Sequence, residues 1–170
     1  MIGHITEASL AIRFDKPVTE DQLTGLVPGG YCVKTRLGKE FGFDFIWTSR
    51  SLDTHDPHVV WFKAWELDTA SFPEADDLVP KIRTVEEFPE CYCYVEESLG
   101  LEPAALTYFK LVIDGKGHPK TPSKTPYLYF DLYETGKDSY RCEVTFKAKL
   151  LRSCKSFPQG PSLRAKPLVE

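Results

Sequence analysis

The sequence has no long apolar run, no surplus of positive charge and none of the common catalytic motifs, and each absence narrows what the chain can do. Across its 170 residues, no window approaches the roughly 18 consecutive apolar residues that indicate a membrane-spanning helix. Lys and Arg number 21 against 25 Asp and Glu, a net charge of -4. We therefore expect no membrane association and do not favour nucleic acid as a partner, since its binding needs a cationic surplus.

Secretory and catalytic signatures are also missing. The first residues, Met1 to Glu7, have neither the basic region nor the apolar core of a signal peptide. The chain contains no GxGxxG, P-loop, GxSxG or HExxH pattern. Its five cysteines are odd in number and are not spaced as a small disulfide scaffold. These absences favour a cytoplasmic location with reduced thiols and lean against an enzyme, with no cofactor expected.

The composition and the patterning predict the class of fold. Hydrophobic residues make up 42% of the chain, and the aromatic share of 13% favours strands over helices. We predict one α+β domain over residues 1–155, with a mainly antiparallel β-sheet of about eight strands, curled or sandwich-like, and one or two short helices. A β-sandwich or a partly closed barrel is the alternative. Residues 156–170 contain three prolines and lack the hydrophobic periodicity of a helix or a strand, which predicts an extended or mobile tail.

The richest stretch runs from Glu40 to Trp65. Its first half alternates aromatic residues (Phe41, Phe43, Phe45 and Trp47) with smaller or polar ones, which places all four rings on one face of a strand. Its second half, from His58, is β-branched and aromatic and predicts another strand. We expect these two strands to form a hairpin whose long polar tip is residues 48–57. We also expect the aromatic row to lie in the core.

Similar patterns predict the other elements. Thr19 and Gln22 have the spacing of a capping box at the start of a short helix. Hairpins are expected over residues 31–48 and over residues 127–151, the second turning at residues 134–138, and a proline-rich loop is expected over residues 114–126. The predicted core comprises Leu10, Ile12, Phe14, Phe41, Phe43, Phe45, Trp47, Val60, Phe62, Leu111, Ile113, Leu128, Phe130, Val144 and Phe146.

One loop concentrates side chains that could bind a metal ion. Asp53, His55, Asp56 and His58 place two imidazoles and two carboxylates within six residues. Such groups are ligands for zinc and other divalent ions, and they could also serve as an acid–base pair. The spacing matches no established metal motif, and Asp and Pro form polar turns in their own right. The loop can therefore be interpreted either as a site for a divalent metal or as a simple polar turn.

The cysteines offer a second candidate site. Cys91 and Cys93 would face the same side of a strand, about 6.5–7 Å apart, near the upper limit for a disulfide. Two thiolates could bind zinc only with ligands from elsewhere in the chain. Cys142 aligns with apolar residues of its own strand and is expected in the core. Buried, unreactive thiols are the alternative for all three.

A third candidate combines tyrosines with a basic loop. The tyrosines are Tyr92, Tyr94, Tyr127, Tyr129 and Tyr133. The loop carries Lys116, His118, Lys120 and Lys124. Aromatic residues on a sheet beside cations can stack single-stranded bases, although the chain has no matching RNA-binding motif. The alternative is a sheet whose tyrosines cover the core beside a solvated connector.

Three functions follow from these features. The first is a cytosolic binding or accessory module that binds protein and does not catalyse a reaction. The second is a metal-dependent hydrolase that uses the Asp53–His58 loop. The third is a binder of single-stranded nucleic acid through the sheet tyrosines and the Lys116–Lys124 loop. The sequence predicts neither the substrate or partner nor the oligomeric state.

Overall fold

The computed structural model describes residues 3–26, 31–37, 41–65, 90–117, 128–147 and 154–156. These residues form ten strands, a short α-helix and one turn of 3-10 helix at Glu97–Leu99. The first elements are β1 (Gly3–Phe14), α1 (Glu20–Gly25), β2 (Tyr31–Leu37), β3 (Phe41–Ile46), β4 (Ser49–Leu52) and β5 (Val59–Trp65). The remaining strands are β6 (Glu90–Cys93), β7 (Pro103–Lys116), β8 (Leu128–Gly136), β9 (Ser139–Phe146) and β10 (Cys154–Ser156).

The strands form two open sheets. The larger sheet has six strands in the order β4-β5-β1-β7-β9-β8, and all neighbours are antiparallel. The smaller sheet has four strands in the order β10-β6-β2-β3, in which only β10 and β6 are parallel. This arrangement confirms the predicted fold of mainly antiparallel sheet with few helices. It does not confirm the barrel alternative, because the larger sheet is not closed.

The expected hairpin between the Phe41 strand and the Val59 strand is wrong. β3 pairs with β2 in the smaller sheet, whereas β5 pairs with β1 and β4 in the larger one. The polar segment predicted as a hairpin tip contains the short strand β4, which forms the hairpin with β5. Trp47, between β3 and β4, is buried, and its ring meets Phe62 edge-on at 5.4 Å. The chain therefore crosses from one sheet to the other at a buried tryptophan.

A single hydrophobic cluster joins the two sheets. Ile12 and Phe62 of the larger sheet and Cys91 of the smaller sheet all belong to it. The predicted core residues found buried are Leu10, Ile12, Phe14, Trp47, Val60, Phe62, Leu111, Ile113, Leu128, Val144 and Phe146. Phe130 is only partly buried but packs against the cluster. The side chains of Phe41, Phe43 and Phe45 lie outside the described part of the structure.

The capping box predicted at the start of α1 is confirmed. The Thr19 hydroxyl accepts the Gln22 backbone N–H at 3.1 Å, and the Gln22 side chain accepts the Thr19 N–H at 2.9 Å. At the other end, the Arg50 Nε donates to the Leu23 carbonyl at 2.8 Å. Arg50 thereby fastens the helix to β4, as a second donor to a carbonyl that also accepts the backbone N–H of Leu26 at 3.1 Å.

Two boundaries of the second half differ from the sequence pattern. β8 and β9 form the expected hairpin, but β8 continues to Gly136, so the turn predicted over residues 134–138 is only Lys137 and Asp138. Asp138 adopts a left-handed φ of 60°. β7 continues to Lys116, so the predicted loop over residues 114–126 begins too early. Asp114, Gly115 and Lys116 all pair with β9, and this pairing extends β7 into the segment that was predicted as a loop. Residues 118–127 and the predicted tail beyond Ser156 lie outside the described residues.

Among the described residues, no helix has the length and apolar character that crossing a membrane requires.

Candidate functional site

The Asp53–His58 loop is a tight turn between β4 and β5, built around the carboxylate of Asp53. This carboxylate accepts the backbone N–H of His55 at 3.0 Å and that of Asp56 at 2.9 Å. It also accepts the indole N–H of Trp61 at 2.8 Å. The Trp61 bond and the two backbone N–H groups hold the pKa of Asp53 below its ordinary value of 3.8. The side chain therefore acts as an anionic anchor that closes the turn.

The rest of the loop is also fixed by local contacts. Asp56 accepts the backbone N–H of His58 at 2.9 Å and pairs with the guanidinium of Arg13 on β1. The N–H of His58 and then the charge of Arg13 lower the pKa of Asp56. The Nδ1 atom of His58 lies 3.1 Å from the carbonyl oxygen of Phe14. These contacts bind the loop to the end of β1.

The predicted metal ligands share one turn, but they do not converge on one point. Asp53 and Asp56 direct their oxygens to Trp61, Arg13 and backbone N–H groups, and His55 is exposed. In the described part of the chain, no three His, Cys, Asp or Glu side chains lie close enough together to hold a metal ion. The four-residue metal site stays a prediction that this geometry does not favour.

The predicted basic loop is only partly described. Lys116 is the exposed last residue of β7 and pairs with Ser139 of β9. His118, Lys120 and Lys124 lie outside the described residues. The structure therefore places one of the four predicted binding residues, and it places that residue on a strand.

The tyrosines do not form the single platform that a base-stacking site needs. Tyr92 is in the smaller sheet, and Tyr94 follows it, with its hydroxyl 2.9 Å from the carboxylate of Glu96. Tyr129 and Tyr133 are on β8 of the larger sheet, 58% and 48% exposed. Tyr127 lies outside the described residues. The described tyrosines of this set are thus divided between two sheets.

The face of the larger sheet turned away from the core is a mixed polar and aromatic surface, which we call the outer face. Three ion pairs cross it, joining Lys63 to Glu7 at 2.5 Å, Lys110 to Glu143 at 2.6 Å and Arg141 to Asp114 at 3.0 Å. Hydrogen bonding to Glu143 raises the pKa of Lys110, and hydrogen bonding to Asp114 raises that of Arg141. Each of these three cations therefore lies against an acid of the same surface.

Aromatic rings accompany the ion pairs on the outer face. The rings of Trp61 and Tyr108 are 4.9 Å apart, beside a shallow cavity of about 360 Å³ that also touches Ser9 and Ser49. At the far side of the sheet, the ammonium of Lys147 is 4.6 Å from the ring centre of Tyr129, a cation–π contact. Sequence reasoning missed this surface because it is assembled from neighbouring strands that are distant in sequence.

The four thiols that the structure describes lie in the core, and a contact between two of them was not predicted. Cys91 and Cys93 are both buried on the core side of β6. The partner of Cys91 is Cys154 of β10, with the two Sγ atoms 2.9 Å apart. Cys142 is buried in the larger sheet as predicted, and burial raises its pKa to about 12. The sequence gives no local signal for the Cys91–Cys154 pairing.

Comparisons with family models, with curated proteins and with solved structures found nothing that matches this chain. What the protein does must therefore be inferred from its own residues.

Proposed function

We propose that this protein is a non-catalytic binding module that takes an extended segment of a protein partner along β8. The observation that carries the proposal is the position of β8, a nine-residue strand that is an edge of the larger sheet among the described residues. It bears the half-exposed Tyr129 and Tyr133. An edge strand presents backbone N–H and C=O groups on its outer side, and these can pair with an added strand. Tyrosine is enriched at protein interfaces, where its ring packs while its hydroxyl stays wet.

Both faces of β8 would contribute to such a contact. Tyr129, Asp131 and Tyr133 alternate with Leu128, Phe130 and Leu132. The second set faces the core, yet Phe130 and Leu132 remain only partly buried at the sheet edge. A strand added beside β8 would cover them on one face and meet the tyrosines on the other.

The charges of β8 indicate the chemistry of the partner. Within the strand, Asp131 and Glu134 are exposed, and the strand contains no Lys or Arg. The whole chain is also acidic, with a net charge of -4. We therefore infer a partner segment that alternates apolar residues with Lys or Arg, because opposite charges across neighbouring strands are favourable.

The charge pattern of the outer face gives less support to nucleic acid. Binding of a polyanion draws its free energy from cations that release counterions at the phosphates. Lys63, Lys110 and Arg141 already face acids of the same surface. A single-stranded nucleic acid would have to compete with those acids for each cation.

We also propose that the protein is cytoplasmic, as the sequence suggests.

Affinity capture with matched variants tests the proposal. An extract of the native host is passed over three immobilised proteins: the wild type, the double variant Tyr129→Ser/Tyr133→Ser, and Ser51→Ala. Ser51→Ala is the control, because it lies on β4 at the opposite edge of the sheet. We expect the wild type and the control to retain the same protein and the tyrosine variant to lose it. Hydrogen exchange should then slow along β8 when that protein is bound.

Two results would count against the module. One is retention of the same protein by the tyrosine variant, which would place the contact elsewhere on the chain. The other is binding of a single-stranded oligonucleotide that weakens steeply with salt, which would favour the nucleic-acid alternative.

A further inference from the structure

The sulfur atoms of Cys91 and Cys154 are held against each other by strand pairing. Cys154 is directly opposite Cys91 in the parallel ladder of β10 and β6, and the two Sγ atoms are 2.9 Å apart. Each residue is 2% exposed. Neighbouring strands lie about 4.8 Å apart, which falls within the range of about 4.4–6.8 Å between the Cα atoms of a disulfide. The backbone therefore already has the spacing that a disulfide bond requires.

The geometry fits a bond between the sulfurs better than a shared metal ion. Two thiolates on one tetrahedral zinc, each at about 2.3 Å from the metal, would lie about 3.8 Å apart. The observed separation of 2.9 Å is too short for that arrangement. The neighbouring thiol on β6, Cys93, is opposite Ser156 in the ladder. Cys142 is in the other sheet, opposite Ile113 and Leu132.

A reagent in solution can reach the pair through β10. This strand has only three residues and forms the edge of the smaller sheet in the described part of the chain. Besides its ladder with β6, this strand packs against β7, and its Ser156 hydroxyl lies 2.6 Å from the carboxylate of Glu102. Short edge strands open locally at a low free-energy cost compared with global unfolding. Opening of β10 would expose Cys154 before the rest of the core.

We propose that Cys91 and Cys154 are a redox modification site, converted to an intramolecular disulfide by a low-molecular-weight disulfide such as oxidised glutathione. The Cys154 thiolate attacks one glutathione sulfur and releases the first glutathione thiolate. The Cys91 thiolate then attacks the Cys154 sulfur of the mixed disulfide and releases the second. The two cysteines lose two electrons in total, the glutathione disulfide gains them, and the two thiol protons pass to the released glutathiones.

The bond would fasten β10 to β6 and remove the local opening that exposes this edge. It is independent of the binding proposal, because β10 and β8 belong to different sheets. Trypsin cleavage after Lys155, in the middle of β10, requires that opening and should be several-fold slower in the oxidised protein. Reduction should restore the original cleavage rate.

Peptide mapping of the full chain tests the proposal directly. The reduced protein is treated with oxidised glutathione under native conditions, its remaining thiols are alkylated in denaturant, and the product is digested with trypsin and then chymotrypsin. Trypsin releases Cys154 in residues 153–155, and chymotrypsin cuts at Tyr92, which separates Cys91 from Cys93. We expect a cross-linked Cys91–Cys154 peptide and, before alkylation, an intact mass lower by two hydrogens than that of the reduced protein.

Three variants serve as comparisons. Cys154→Ser should abolish the cross-link and the protection of Lys155, whereas Cys93→Ser and Cys142→Ala, which remove other buried thiols, should retain both. The proposal is overturned if the native wild type forms no cross-link in excess oxidant, or forms it only in denaturant. It is also overturned if the mapped bond joins Cys93 or a second chain instead.

Discussion

The indole N–H of Trp61 donates a 2.8 Å hydrogen bond to Asp53, and so connects the outer face to the loop that the sequence marks as a possible metal site. The same indole ring lies 4.9 Å from the ring of Tyr108 on β7. Trp61 therefore positions the loop with its polar atom and packs on the sheet with its ring. The loop is thus a rigid extension of the larger sheet, and its carboxylates have structural partners.

The partners of Asp53 predict how stability responds to acid. The hydrogen bond from Trp61, together with the backbone N–H groups of His55 and Asp56, keeps the pKa of Asp53 below 3.8 in the folded protein. Because the folded pKa is the lower one, the stabilisation is complete above the unfolded pKa and is lost as pH falls through the folded pKa. Asp56 follows the same rule, with the His58 N–H as the main cause.

We therefore expect Asp53→Asn to lower the urea midpoint at pH 7 and to flatten its fall below about pH 4. Urea denaturation at a series of pH values measures both effects. Asp131→Asn, which removes an exposed carboxylate of β8, is the control and should leave the midpoint at pH 7 unchanged. An acid limb identical to that of the wild type would show that Asp53 does not stabilise the loop.

Removing the hydroxyl of Tyr140 should not destabilise the protein. Its hydroxyl is buried and has no hydrogen-bond partner within the described residues, and burial raises its pKa. A buried polar group without a partner keeps its desolvation cost, about 1–3 kcal/mol. Tyr140→Phe should therefore leave the free energy of unfolding unchanged or raise it by about 1 kcal/mol. Denaturant unfolding of the variant and the wild type measures this difference, and a loss of stability would reveal a partner for the hydroxyl.

The sequence predicts the local structure of this protein better than the arrangement of its parts. The alternation through Phe14 and through Phe146, and the Thr19 capping box, depend on residues close in sequence, and the structure confirms them. The assignment of β3 and β5 to different sheets depends on how the chain turns at Trp47. No periodicity within either strand encodes that turn, so the predicted hairpin was wrong.

The same distinction applies to the candidate sites. The turn-forming character of Asp53 was visible from the sequence, because aspartate commonly accepts nearby backbone N–H groups. The Trp61 contact was not visible, since a side chain eight residues away reaches the turn only through the β4–β5 pairing. The Cys91–Cys154 contact spans 63 residues and depends on strand order. Sequence periodicity carries no information about strand order.

Two aromatic substitutions in the larger sheet should have very different effects on stability. Phe109 is fully buried and stacks on Phe146 with ring centres 5.0 Å apart, whereas Tyr129 is 58% exposed. Phe109→Ala should lower the free energy of unfolding by about 3–5 kcal/mol because it leaves a cavity. Tyr129→Ala should change it by about 0.5 kcal/mol or less. Similar losses in urea unfolding would mean that Tyr129 is covered by another part of the chain.

We expect the thiol of Cys142 to resist alkylation in the folded protein. Burial raises its pKa to about 12, with a smaller contribution from the negative charges of Asp131 and Glu143. The thiolate is the reactive form, so iodoacetamide at pH 8 should leave Cys142 unmodified until the protein unfolds. Mass spectrometry of digests taken with and without denaturant tests this. Modification of Cys142 under native conditions would contradict its placement in the core.

The oxidised form of the Cys91–Cys154 pair should be measurably more stable than the reduced form. A cross-link between residues 63 positions apart restricts the unfolded chain, and for a loop of that length the chain-entropy model predicts about 4 kcal/mol. In a protein of this size, that corresponds to a rise in Tm of about 10 °C. Thermal unfolding of the wild type after glutathione oxidation, before and after reduction, measures the shift. Cys154→Ser should show no shift under the same treatment, and an equal shift in that variant would assign the stabilisation to another thiol.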